Sequence, residues 1–130
     1  MKHQVCVVSG TRADYGLLRP LLIRLRDCPE IELTIAATSS HLSAAFGGTG
    51  EELTRDGFAY DSMPFPLDDD SKAGMTRATG AALRSFADYF SAHRPDLLVV
   101  LGDRYEIFAV SAAAAMLGIP IAHLHGGETT

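Results

Sequence analysis

The sequence predicts a doubly wound α/β sandwich around a parallel sheet of about five strands, an expectation carried by three observations. Short apolar runs alternate with stretches of helical periodicity, the last third of the chain reads as one complete βαβ unit, and the first apolar run has no polar face. A strand lying between two layers of helices must be apolar on both sides. Parallel strands joined by right-handed helical crossovers create that cover.

Each element follows from its pattern. Val5-Cys6-Val7-Val8, stopped by Ser9-Gly10, is the first and central strand. From Asp14 onward Leu17, Leu18, Leu21, Leu22 and Leu25 recur at helical spacing, with Arg19, Arg24 and Arg26 on the other side. Pro20 lies within that pattern and lacks a backbone donor, so this helix is expected to bend or to start late, and Pro29 confirms its stop. Residues 31–38 form a second strand, Gly47-Gly48-Thr49-Gly50 a turn, 51–55 a short helix and 58–63 a third strand. The stretch 64–71, with two prolines and three adjacent acids, is a loop by composition. A helix over 76–92 places Ala82, Leu83, Phe86, Tyr89 and Phe90 on one side and ends before Pro95. The closing βαβ unit consists of a buried strand at 97–101, an alanine-rich helix over 104–117 ended by Gly118, and a strand at 119–124.

Composition narrows the function classes. The 130 residues fit one domain, 1–130, without repeats or a linker; 47% hydrophobic and 21% charged residues describe an ordinary globular chain. A net charge of −5 with scattered Lys and Arg argues against nucleic-acid binding, which calls for a basic stripe. Neither a signal-peptide pattern nor an apolar run long enough to span a bilayer is present, so no membrane partner is expected. Cys6 and Cys28 have neither metal nor disulfide-framework spacing, which points to a reduced, cytoplasmic setting.

In a sheet of this kind ligands bind at the carboxyl ends of the strands where strand order reverses, commonly between the first and fourth strands. Three sequence clusters end up there. The first loop brings Gly10 for close backbone approach, Thr11 as a hydroxyl and Arg12 as a cation at a helix N-terminus, a setting suited to phosphate, although Arg12 has the plainer reading of a surface ion pair. After the fourth strand, Gly102 and Asp103 emerge at the crevice mouth; Asp103 could equally cap the helix that opens at Arg104, and Glu106 reads as an acid complementing that helix's dipole. His123, His125 and Glu128 follow the fifth strand. Two histidines on one strand face would need a further ligand to hold a metal, so the cluster reads instead as pocket lining and no metal is expected. His41, after the second strand, taken alone reads as a residue at the start of a helix.

Taken together, Gly10-Thr11-Arg12-Ala13-Asp14-Tyr15-Gly16, Ser40-His41-Leu42, Gly102-Asp103-Arg104 and His125-Gly126-Gly127-Glu128-Thr129 resemble the hydrolysing UDP-N-acetylglucosamine 2-epimerases of sialic-acid and related nonulosonate pathways. The resemblance implies a Rossmann-like N-terminal half of a glycosyltransferase-B-type two-domain fold, with a UDP-sugar held between the halves. It implies that UDP-N-acetylglucosamine and water give UDP and N-acetylmannosamine, by elimination of UDP to a glycal followed by hydration. Asp103 matches the family's catalytic aspartate, Arg12 the arginine near the diphosphate and Glu128 a pocket carboxylate. His125 stands where several relatives carry a catalytic glutamate and others a histidine, which leaves the acid/base assignment among Asp103, His125 and Glu128 open. Gly10, Thr11, Arg12, His41 and Arg104 are the expected substrate-binding residues. No cofactor is required, and full-length copies are expected to form homo-oligomers. The chain reads as an N-terminal fragment without activity of its own, its C-terminal nucleotide-binding domain absent. The alternatives are the first half of a glycosyltransferase, an epimerase for a modified or GDP-linked N-acetyl sugar, and a non-catalytic phosphate-sensing α/β module.

Overall fold

The computed structural model describes residues 2–10, 12–38, 49–63, 65 and 71–125, apart from the side chains of Arg12, Ala13 and Thr49. Among the described residues, five strands, β1 (His3–Ser9), β2 (Ile31–Ala37), β3 (Asp61–Ser62), β4 (Leu97–Leu101) and β5 (Ile121–Leu124), alternate with four helices: α1 (Arg12–Arg26), α2 (Thr49–Arg55), α3 (Lys72–Ala92) and α4 (Tyr105–Met116). The strands form one parallel sheet in the order β3-β2-β1-β4-β5. Strand order therefore reverses between β1 and β4, as the doubly wound reading requires.

The pleat divides the core. Cys6 and Val8 of β1 join Leu98 and Val100 of β4 under Phe86 and Phe90 of α3 and Ile107 and Val110 of α4. Val5, Val7, Val99 and Leu101 face the opposite way, against Tyr15, Leu18 and Leu22 of α1 and Leu53 of α2. Both faces of the central strands are thus buried, which is why their sequences show no polar alternation.

Three local departures from the sequence pattern have physical causes. Helix α1 begins at Arg12 and runs through Pro20 to Arg26, so it does not start late. The proline removes one backbone donor and crowds the Gly16 carbonyl, but both residues face solvent, where water can serve that carbonyl. Helix α3 starts a turn before residue 76, because the Ser71 hydroxyl accepts the Gly74 N–H at 3.0 Å and caps it. Strand β3 shrinks to Asp61–Ser62 because Phe58 closes the end of α2 instead, its N–H donating to the Leu53 carbonyl at 2.9 Å.

Helix α4 ends as its sequence suggests. Gly118 takes φ +73°, with Gly118 N–H bonded to the Ala115 carbonyl at 3.1 Å and Ile119 N–H to the Ala114 carbonyl at 2.9 Å. This paired pattern satisfies the last carbonyls of the helix and needs a left-handed residue at the glycine. On the other sheet face, the Tyr15 hydroxyl and Arg19 Nε both donate to Asp56, tying α1 to the end of α2. No helix among the described residues is long and apolar enough to cross a membrane.

Candidate active site

The carboxyl edge of the sheet carries buried polar side chains. Among the described residues, the polar or charged side chains buried there are Ser9, Thr38 and Glu106, at the ends of β1 and β2 and in the first turn of α4. Thr38 N–H donates to the Ser9 carbonyl at 3.0 Å, continuing the β1–β2 ladder past the last paired residues. Gly10 follows directly. A methyl group at Gly10 would lie 3.1 Å from Glu106 Oε1, 3.2 Å from Thr38 Oγ1 and 3.3 Å from Asp14 Oδ2, so the turn out of β1 passes closely over three oxygens. A side chain there would be tight against all three.

Across the crevice, Gly102 leaves β4 with φ +82°, a conformation that costs a side-chain-bearing residue roughly 1–2 kcal/mol. Its N–H donates to the Leu124 carbonyl at 3.0 Å, and His123 Nε2–H donates to its carbonyl at 2.6 Å. The carbonyl can only accept, so this contact places a proton on Nε2 of His123. A turn pinned from both sides by β5 then presents Asp103.

The capping reading of Asp103 is corrected: the residue at the N-cap of α4 is Arg104, without a side-chain cap bond. Asp103 is exposed, and its carboxylate accepts no hydrogen bond among the described residues. It opens instead into a cleft of about 430 Å³ that it lines together with Thr76, Thr79, Tyr105 and Phe108.

Arg104 lies beside it, its Nε–H donating to Glu106 Oε1 at 2.9 Å; the arginine side chain is 61% exposed and the glutamate side chain 4%. Sequence reasoning gave Glu106 only a dipole role. The signal that could have found it is positional: a side chain in the first turn leans back toward the helix N-terminus, and here that direction leads to the end of β1.

His125 follows β5 with φ +55°, an uncommon conformation for a residue other than glycine. It has left the strand, so the alternation expected to put His123 and His125 on one face does not apply to it. Among the described residues no three His, Cys, Asp or Glu side chains gather as a metal-ligand set. Thr11, His41 and Glu128 lie outside the described residues, as does the side chain of Arg12, whose backbone opens α1. The structure thus brings Gly10, Asp103 and Arg104 to the same edge of the sheet and sets His125 at the end of the adjacent β5.

Comparison with known proteins bears on the family and the fold. The sequence profile of the family described as UDP-N-acetylglucosamine 2-epimerase matches residues 23–130. The chain is similar to the UDP-N,N'-diacetylbacillosamine 2-epimerase (hydrolyzing) of Legionella pneumophila, with 41% identity over 129 residues covering 98% of this chain and 34% of that protein. It is 37% identical over 129 residues to the GDP/UDP-N,N'-diacetylbacillosamine 2-epimerase (hydrolyzing) of Campylobacter jejuni, covering 99% of this chain and 34% of that one. The crystal structure of UDP-GlcNAc 2-epimerase from Neisseria meningitidis bound to UDP-GlcNAc has the same fold, with a TM-score of 0.80 at 24% identity over 98% of this chain and 33% of that one. The chain spans about a third of the length of the curated relatives it matches.

Proposed function

Because this chain belongs to the UDP-N-acetylglucosamine 2-epimerase family, we propose that it supplies the first of two domains of a hydrolysing sugar-nucleotide 2-epimerase. The substrate is UDP-N-acetylglucosamine and the products are UDP and N-acetylmannosamine. The observation that carries this reading is Asp103: a carboxylate at the switch point, bonded to nothing among the described residues, on the rim of a cleft of about 430 Å³.

The chemistry needs a base near carbon-2, cationic neutralisation for the departing diphosphate, and a group that returns a proton to carbon-2 while water adds at carbon-1. Asp103 takes the proton or stabilises the charge that develops as it leaves. Gly10, Thr11 and Arg12 at the start of α1, with Arg104 and His41, hold the diphosphate and sugar. His125 and Glu128 complete the proton inventory, and an imidazole suits that role near neutral pH. A second domain closes the cleft, excludes water and grips the nucleotide, so residues 1–130 alone do not turn over.

A second substrate reading, a UDP-linked diacetamido sugar, is favoured by the names of the Legionella and Campylobacter relatives. Comparing kcat/KM for the two UDP-sugars separates these readings. The exposed Met116 at the end of α4 supports assembly of full-length copies into a homo-oligomer, and the free Cys6 and Cys28 support a cytoplasmic setting.

Asp103→Asn in the protein continued to its relatives' length tests the assignment. Turnover is expected to fall about 100-fold or more, because the basic charge is lost. Thermal stability should hold, since Asp103 neither caps α4 nor is buried. Near-normal turnover in the folded variant would remove Asp103 from the chemistry.

A further inference from the structure

We propose that Glu106 is a positioning residue that fixes the Arg104 guanidinium at the crevice and couples it to the β1 turn that receives the diphosphate. This inference rests on the epimerase reading above. Its basis is a contact pattern that spans the switch point: Glu106 Oε1 accepts Arg104 Nε–H at 2.9 Å and also lies 3.1 Å from where a side chain at Gly10 would begin. The same carboxylate oxygen thus bonds Arg104 and sits beside the space a side chain at Gly10 would occupy, next to both loops that face the ligand.

The burial asymmetry gives the contact a direction. A carboxylate that is 4% exposed is held in place by its surroundings, whereas an arginine that is 61% exposed is free to swing on a long side chain. A solvent-facing ion pair between two mobile partners contributes little. Here one partner is fixed in the core, so the bond orders the other. Binding at Nε leaves the terminal guanidinium N–H groups uncommitted among the described residues, and these have the fork geometry that suits a phosphate oxygen pair. Without Glu106 the arginine must be ordered at the moment of binding, which weakens the ligand's hold.

The test is UDP affinity by calorimetry on the protein continued to its relatives' length, in a cycle of Glu106→Ala and Arg104→Gln. Glu106→Ala is expected to weaken UDP binding about tenfold when Arg104 is present and less than twofold in the Arg104→Gln background. Glu106→Gln, which retains an acceptor oxygen and the side-chain volume, should recover most of the loss, and Glu106→Leu, which keeps comparable bulk without an acceptor, supplies the same comparison if the alanine variant does not fold. A purely structural Glu106 would lower the melting temperature and leave UDP affinity unchanged, and that result overturns the proposal. Equal weakening in both Arg104 backgrounds overturns it as well. Wild-type protein that binds UDP with this coupling but releases no free sugar would overturn the epimerase reading alone. Wild-type protein that does not bind UDP would overturn both.

Discussion

Cys6 stands in the middle of β1 with 2% of its surface exposed, and burial, reinforced by the negative charge of Asp61, lifts its thiol to about 12. The thiolate is the nucleophile, so at neutral pH Cys6 is inert, while half-buried Cys28 beyond the end of α1 remains within reach of reagents. Titrating the native protein with a chromogenic disulfide reagent should therefore consume Cys28 quickly and Cys6 only after denaturation; rapid reaction of both would contradict the packing described for β1. At this scale the site was partly legible. Gly10, Asp103 and Arg104 could be placed because a strand that is apolar on both faces must end at the ligand edge of a parallel sheet. Glu106 could not, because an acid in a first helical turn already has a sufficient local explanation in the helix dipole. Its burial depends on the tertiary approach of β1 to α4. The departure of His125 from strand geometry was hidden likewise, since histidine has no sequence marker for a left-handed backbone.

Among the elements, the start of α3 is set by one hydroxyl. Ser71→Ala removes the acceptor for Gly74 N–H and should cost about 1 kcal/mol, which in a domain of this size lowers the melting temperature by roughly 4 °C. The check is a thermal melt followed by circular dichroism, and an unchanged midpoint would show that the cap contributes nothing to holding α3. This helix start was missed because the acidic, proline-bearing stretch before it dominates the composition, and a cap depends on a single side chain rather than on an average. The strand at 97–101 was legible to the residue, being a pure apolar run between Asp96 and Gly102. Strand β3 was not, because Phe58 and Met63 are buried without belonging to it and extended its apparent pattern. The passage of α1 through Pro20 on a solvent-facing side of the helix is a feature that periodicity does not weigh.

For the molecule as a whole, the order β3-β2-β1-β4-β5 accounts for the position of the site: two adjacent strands send their crossovers in opposite directions and leave a crevice between their carboxyl ends. The same fold serves unrelated chemistry, so the functional conclusion rests on the groups at that crevice and on family membership. Elimination followed by hydration has a signature that neither sugar transfer nor ligand sensing shares: the proton lost from carbon-2 is replaced from solvent. The most direct test is proton NMR of the protein continued to its relatives' length, incubated with UDP-N-acetylglucosamine in deuterium oxide without any acceptor, beside the 130-residue chain as control. The expected result is UDP together with free N-acetylmannosamine carrying deuterium at carbon-2, and no turnover by the control. Intact nucleotide sugar both here and with the UDP-linked diacetamido sugar, or a released sugar that keeps its original configuration and proton at carbon-2, would contradict the epimerase reading.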